Sequence, residues 1–404
     1  MTTTLITVLG RPGKDASGQY RRASYAFANG KKTEPLAFFG WALNELIRPD
    51  RMVIIGTSGS AWDHLVEGDL DLGDSGLLDR EALIDASSRK SVTQDHLDKL
   101  SPYLSKTLGC SVELKIIPHA QNEHQQIAIL ELLAKWLGDN ETVHIDVTHG
   151  FRHLPMILLL AALYLRRIKN AHIEKVWYAA FDPDTNEAPV LDLSGLLRLA
   201  EGLQAVSSYD ADGNYSVFIP ILEQSGVPSD IIDALRQGAY YENILNVGAA
   251  TAQLRRVNSG LQSIALNPEM ELLYPLIQER MQWVNEDKQF QKITRLARGA
   301  FERRDYLRAI LYAYESVITR ICQQQKVDIN DFDGREQART EYQDQIKRSP
   351  EIRSRYELLK NLRNQVAHGT RGSKREVQQA LLNEEKMHTV IDGLIRDIEN
   401  GRLP

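Results

Sequence analysis

The stretch HIDVTHGFRHLP, His144–Pro155, asks for two different backbones in twelve residues. Val143–Val147 (VHIDV) is a short apolar, β-branched run of strand type. Pro155 suits the first turn of a helix, and Leu154–Leu165 (LPMILLLAALYL) is apolar enough to be buried on every side. Between strand and helix stand Thr148, His149, Gly150, Phe151 and Arg152: a hydroxyl, an imidazole, a flexible backbone point, an aromatic ring and a guanidinium. A strand handing over to a buried helix through a polar turn is the repeating unit of a parallel sheet. In open sheets of that kind, ligands settle outside the carboxyl ends of the strands.

The same alternation runs outward from this point. Strand-type runs occur at Leu5–Leu9, Met52–Ile55, Val112–Ile117 and Val176–Phe181, with Pro189–Leu193 expected as an edge strand. Helix-length stretches lie between them at Pro35–Ile47, His96–Leu108, Glu123–Leu137 and Leu154–Ile168. The expected fold is an α/β Rossmann-like N-terminal domain over residues 1–195, a parallel sheet with helices on both faces. After about residue 195 β-branched clusters become scarce, and an all-α helical domain is expected over 196–404. Within it 196–285 reads as a helical connector and 286–404 as the functional part. Asp305–Ile321 repeats apolar residues at three and four, as an amphipathic helix should, and Ile352–Val366 does so more weakly.

Composition narrows the class. Of 404 residues 43% are hydrophobic and 25% charged, the balance of a soluble globular protein. Two distant cysteines, Cys110 and Cys322, exclude a disulfide framework and a cysteine zinc site and fit a reducing cytoplasm. The N-terminus lacks the layout of a signal peptide. The most apolar run, Leu154–Leu165, is 12 residues long, short of the roughly 20 that span a bilayer; no membrane partner is expected. Residues 288–404 hold 23 Lys and Arg against 17 Asp and Glu, a surplus of six in a chain whose net charge is −6. That basic part is either a solvated helical face or a surface for an anionic partner.

Two further strand ends carry candidate groups. Ile54–Trp62 (IIGTSGSAW) places Gly56, Thr57, Ser58, Gly59 and Ser60 after a strand and before an expected helix. Glycines there let backbone N–H groups approach a phosphate; a plain tight turn is the alternative. Asn122, in Ala120–Gln126 (AQNEHQQ), is a ligand contact or the cap of the next helix. Neither a Walker loop nor a GxGxxG fingerprint is present, so ATP hydrolysis and NAD binding find no support. His144, His149 and His153 have no metal-site spacing, and no metal or cofactor is expected.

GTSGSAWDHL after a strand, with HIDVTHGFRHLP opening an apolar helix, resembles the CARF domains of CRISPR-associated proteins from type III systems. The resemblance implies a Rossmann-like homodimer, or a higher oligomer, that binds cyclic oligoadenylate across its two-fold axis. It implies ligand contacts from Gly56–Ser60 and from Thr148, His149, Gly150, Phe151 and Arg152. The loop Gly10, Arg11 and Pro12 after the first strand joins them. An even ring suits the two-fold site, and the short loops resemble the group that takes cyclic tetra-adenylate.

Near the other end, Leu362–Thr370 reads LRNQVAHGT. Arg363 and His368 form R-x4-H, with Asn364 after the arginine. Metal-free ribonuclease chemistry needs a histidine as general acid or base and an arginine to hold the scissile phosphate, with Asn364 orienting either. The alternative is a histidine placed favourably in the last turn of a helix. Residues five apart stand about 140° round a continuous helix. Convergence therefore needs Gly369 to end the helix and free His368, or a second copy across a two-fold axis. Behind a CARF-like domain, LRNQVAHG resembles HEPN endoribonucleases, in which two protomers form one composite site. The implied function is a cyclic-oligoadenylate-activated endoribonuclease acting on single-stranded RNA and leaving 2′,3′-cyclic phosphates. Two other readings stay open: a ring nuclease with a structural helical domain, and a non-enzymatic ligand-gated nucleic-acid binder.

Overall fold

The structure is a computed structural model that describes residues 2–11, 13, 20–369 and 374–404. The chain divides into two compact units, Met1–Leu197 and Arg198–Pro404.

In the first unit the described residues form one seven-stranded sheet: β1 (Thr3–Val8), β2 (Ser24–Ala26), β3 (Arg51–Gly56), β4 (Ser111–Ile116), β5 (Thr142–Asp146), β6 (His172–Ala179) and β7 (Glu187–Asp192). Their order is β2-β7-β6-β5-β1-β3-β4, and every neighbouring pair is parallel except β6 with β7. The helices are α1 (Phe39–Ile47), α2 (Leu77–Ser88), α3 (Gln94–Leu108), α4 (Glu123–Trp136) and α5 (Leu154–Lys169).

Pleating assigns the side chains to two cores. Leu5, Leu9, Met52 and Ile54 meet Phe39 and Leu43 of α1, Leu83 of α2 and Leu97 and Leu100 of α3. Ile6, Val8, Val53 and Ile55 meet Ile129 and Leu133 of α4 and Leu158 and Leu165 of α5. Strands buried on both faces read as unbroken apolar runs, which is why they were visible in the sequence.

Five details differ from the sequence reading. Helix α5, read as buried, exposes Met156, Leu160, Tyr164 and Ile168 along one side, because only its other side, with Leu158, Ala161 and Leu165, packs into the core. The Pro35–Ile47 helix begins at Phe39, because the N–H groups of Ala37 and Phe38 donate to the Asp69 carboxylate, at 2.8 and 3.2 Å, before the first turn. The strand expected at the edge, Pro189–Leu193, lies inside the sheet as β7, since the three-residue β2 pairs beyond it. The helix expected after Gly56–Ser60 is a single 3-10 turn, Trp62–Leu65. An unexpected helix, α2, buries only Leu83, Ala86 and Ser87 and leaves Leu77 and Leu78 exposed, so it has little apolar periodicity to read.

The second unit is helical: α6 (Ser194–Asp212, entering from the first unit), α7 (Ile219–Gln224), α8 (Ser229–Asn243), α9 (Val247–Gln262), α10 (Pro268–Arg280), α11 (Gln289–Glu302), α12 (Tyr306–Gln325), α13 (Phe332–Gln345), α14 (Pro350–His368), α15 (Arg375–Leu382) and α16 (Glu384–Glu399). Asp305 caps α12 by accepting from the Arg308 N–H at 3.0 Å. One core holds Ala309, Ala313 and Val317 of α12 with Leu359 and Leu362 of α14. Among the described residues no helix is long and apolar enough to cross a membrane.

Glu242 on α8 is buried, and its Oε2 has no hydrogen-bond partner among the described residues. Burial pushes its carboxyl up to about 8, with Arg303 and Arg308 offsetting part of the effect. The folded chain therefore keeps a proton that the unfolded chain releases near 4.5. Stability from this group is complete below that unfolded value and is lost as pH rises through about 8. Glu242→Gln should match the wild type near pH 4.5 and exceed its unfolding free energy at pH 8 by about 4 kcal/mol. Urea unfolding at the two pH values checks this, and an unchanged difference would contradict it.

Candidate functional site

β1, β3 and β5 are adjacent at the middle of the sheet, so the loops leaving their carboxyl ends are neighbours. Gly10 and Gly150 bring two of them into backbone contact. A Cβ on Gly10 would stand 2.4 Å from the Gly150 nitrogen. Gly150 has φ +102°, and a Cβ there would stand 2.8 Å from Val8 Cγ1. The third loop is tied in by the Ala61 N–H, which donates to the Gly10 carbonyl at 3.0 Å.

Several expected contact residues use their side chains to hold this scaffold. Ser60 Oγ accepts from the Thr57 N–H at 2.9 Å, and the Trp62 indole N–H donates to the Thr57 carbonyl at 2.8 Å. Both Thr57 and Ser60 are buried. Thr148 Oγ1 accepts from the Ala179 N–H at 2.9 Å, joining the ends of β5 and β6. Asp146 is fully buried; its carboxylate accepts from the Thr7 hydroxyl at 2.6 Å and the Thr148 N–H at 2.8 Å. The His149 ring turns inward, stacked 5.8 Å from Phe38, with Nε2 3.5 Å from the Phe39 N–H. Burial pushes the Asp146 carboxyl up and the His149 imidazole down, and each charge eases the other. Strand ends leave backbone groups that need partners, and these side chains supply them. Asn122 does the same on α4, its Oδ1 accepting from the Gln125 N–H at 3.0 Å.

The accessible groups are a different subset. Phe151 is 49% exposed, Arg11 and Arg152 are exposed, and Ser58 and Gly59 are half-buried. Pro12 lies outside the described residues. Two residues not picked out in the sequence join them. His119 Nε2 lies 3.4 Å from Ser58 Oγ, and its ring is 6.4 Å from Phe151. Lys90 flanks the same loop: a Cβ on Gly59 would lie 3.9 Å from both His119 Cε1 and Lys90 Cβ. The ring of Phe151 also stacks on His153 at 5.7 Å. His119 follows the β4 strand directly, a signal the sequence carried. Lys90, far along the chain, had none.

Phe151 and His119 form an aromatic ledge beside Lys90, with Arg11 and Arg152 exposed on the same strand-end loops, where backbone amides are close packed. Such a surface suits phosphates and a stacked base.

In the second unit the R-x4-H segment closes α14. Arg363 donates from Nη1 to Asn364 Oδ1 at 2.9 Å, and its guanidinium lies 5.2 Å from the Tyr314 ring centroid. His368 is exposed in the last turn, and Gly369 ends the helix at φ +63°. Since α14 is continuous, Arg363 and His368 stay about 140° apart, and no hydrogen bond joins them among the described residues. Glu315 pairs with Arg335 at 2.6 Å rather than with Arg363. Tyr314, the residue before Glu315 on α12, is the one whose ring touches the motif.

The first unit is thus a Rossmann-like sheet with its accessible polar face at the central strand ends, and the second is a helical unit. Residues 4–183 match the family model of the CARF domain of the CRISPR system endoribonuclease Csx1. Over those residues the first unit is similar to the CARF domains of CRISPR-associated proteins. The chain is 22% identical over 439 residues to the CRISPR-associated protein MJ1674 of Methanocaldococcus jannaschii, an alignment covering 95% of this chain and 66% of that protein. The chain therefore spans just under two thirds of that relative's length. A distant likeness is to Enterococcus italicus Csm6 bound to cyclic hexa-2′-fluoro-hexa-dAMP, with TM-score 0.39 and 13% identity over 98% of this chain and 92% of that one.

Two glycines of this site should respond oppositely to a methyl group. Gly10→Ala should lower stability by about 1–3 kcal/mol, because the Gly150 backbone occupies the space. Gly59→Ala should change it by less than about 0.5 kcal/mol. Thermal unfolding of the two variants checks this; equal midpoints would contradict it.

Proposed function

We propose that the protein is a metal-independent endoribonuclease switched on by a cyclic oligoadenylate, with cyclic tetra-adenylate as its activator. The carrying observation is the meeting of Ser58, Gly59, Phe151, His119 and Lys90 at the ends of adjacent strands, with the exposed Arg11 and Arg152 on the same loops, in a domain that matches the CARF model of an endoribonuclease family. Phosphates would take the loop amides and cations, and an adenine would stack on Phe151.

The chemistry belongs to α14. His368 would move the proton between the 2′-hydroxyl and the leaving oxygen. Arg363, kept in place by Asn364 Oδ1 and the Tyr314 ring, would hold the scissile phosphate and offset its developing charge. Attack by the 2′-oxygen breaks the bond to the 5′-oxygen and leaves a 2′,3′-cyclic phosphate. Because one helix separates the two groups, a pair of chains would complete the site.

An exposed apolar face of α5 supports such a pairing. Met156, Leu160, Tyr164 and Ile168 recur every four residues, and all are exposed, at 70, 61, 39 and 45%. They form one apolar stripe that starts just past Phe151, and apolar patches of this kind mark association surfaces. Activation would follow if the ligand binds the cleaving arrangement of the dimer more tightly than the resting one. The proposed setting is the reducing cytoplasm.

Labelled single-stranded RNA incubated in EDTA should be cut faster with cyclic tetra-adenylate than without it. Arg363→Ala and His368→Ala should each lower the rate at least about 100-fold. Absence of stimulation, or full activity of His368→Ala, would overturn the proposal. Leu160→Arg should convert the dimer to a monomer in size-exclusion chromatography and abolish cleavage; an active monomer would contradict the shared site.

A further inference from the structure

A cavity of about 430 Å³ opens beside the motif helix, between α13 and the middle of α14. Four cations line it: Lys347, Arg353, Lys360 and Lys374. Only two carboxylates face them. Asp344 pairs with Lys347 at 2.7 Å, and Glu357 is shared by Arg353 at 2.9 Å and Lys374 at 2.5 Å. Lys360 has no ion pair among the described residues, although it projects from the same helix as Arg363. The cavity therefore carries an excess of positive charge, with one ammonium uncommitted. The remaining walls suit a nucleobase: Gln343 and Asn361 offer amides, and the Tyr356 hydroxyl accepts from Gln343 Nε2 at 3.2 Å.

Its position is what makes the charge informative. Lys360 and Asn361 precede Arg363 and Asn364 by three residues, so each pair shares a face and is separated by about 4.5 Å along the axis. The link is also physical. Tyr356, on the cavity wall, lies 6.5 Å from the Tyr314 ring, and Tyr314 lies under the Arg363 guanidinium. An anion at Lys360 would therefore lie on the same face of α14 as a phosphate at Arg363.

We propose that this cavity seats the nucleotide adjoining the scissile phosphate of a single-stranded RNA, with Lys360 and Lys347 on its phosphate and Gln343 and Asn361 on its base. This rests on the ribonuclease reading above and names the strand's path across the site. Contacts of this kind are electrostatic and largely independent of base, so their loss weakens binding and flattens its salt dependence.

The test uses full-length protein carrying His368→Ala, so that labelled single-stranded RNA binds without being cut, and follows fluorescence anisotropy across a salt series. Lys360→Gln should weaken binding about 3–10-fold and reduce the slope of log K against log salt by about 0.7, the value for one phosphate contact on a single strand. Adding Lys347→Gln should deepen both effects, and Lys360→Arg should restore binding. Lys386→Gln, exposed on α16 and away from the cavity, should behave as the parent. In the cleaving protein, Lys360→Gln should raise KM and leave kcat nearly unchanged. An unchanged affinity and slope for Lys360→Gln, or no RNA binding by the parent, would overturn the proposal. If RNA binds in a Lys360-dependent way but is never cut, the cavity assignment stands and the ribonuclease reading fails. If cutting is normal and Lys360→Gln binds as the parent does, the reverse holds. Displacement of the RNA by an acidic peptide, with no change of slope in Lys360→Gln, would assign the cavity to a protein partner and also overturn the proposal.

Discussion

Gly10 and Gly150 approach so closely that no side chain fits between them. That backbone contact sets the spacing of the β1 and β5 loops, and the Ala61 to Gly10 hydrogen bond draws in the β3 loop. Everything accessible at the sheet's carboxyl edge is displayed on this frame. The frame is held by side chains that sequence inspection takes for ligand contacts. Thr57, Ser60, Thr148 and His149 face inward: Ser60 accepts from the Thr57 N–H of its own loop, Thr148 from the Ala179 N–H at the end of β6, and His149 faces the Phe39 N–H at the start of α1. What they leave at the surface is Ser58, Gly59, Phe151 and Arg152, with Lys90 and His119 closing in from other elements. Rigidity and recognition are thus divided between neighbouring residues of the same loops.

That division marks where sequence reasoning succeeds. The central strands were legible because both their faces are buried, which writes an uninterrupted apolar run. The long helix α5 was legible from its length and its proline. Three-residue β2 and weakly periodic α2 were not, since neither buries enough side chains to leave a pattern. Asp69 shows another limit: a carboxylate thirty residues downstream takes the N–H groups that precede α1, and nothing local announces it. The loops themselves were located correctly as glycine-rich strand ends. Which of their side chains turn inward depends on Phe38, Phe39 and Ala179, contacts made only on folding.

In the helical unit the motif was legible as a pattern, but its surroundings were not. Tyr314 reads as one more apolar position of an amphipathic helix. In the structure its ring lies under Arg363, a contact worth about 0.5–2 kcal/mol depending on desolvation. Together with Asn364 it fixes the guanidinium before any substrate arrives. The same ring leads to Tyr356 and the cationic cavity one helical turn away. Continuity of α14 is equally consequential. It keeps Arg363 and His368 on different sides of a single helix, which is why the proposed chemistry calls for a pair of chains.

Calorimetric titration of cyclic tetra-adenylate into two variants tests the separation of sensing from cutting most directly. Gly59→Asp places a carboxylate between His119 and Lys90, where the fold has room for it; Arg363→Ala alters only the motif helix. The expected result is binding lost in Gly59→Asp and kept at wild-type affinity in Arg363→Ala, with RNA cleavage lost in both. Wild-type affinity in Gly59→Asp would contradict the assignment of the sensor site to these loops.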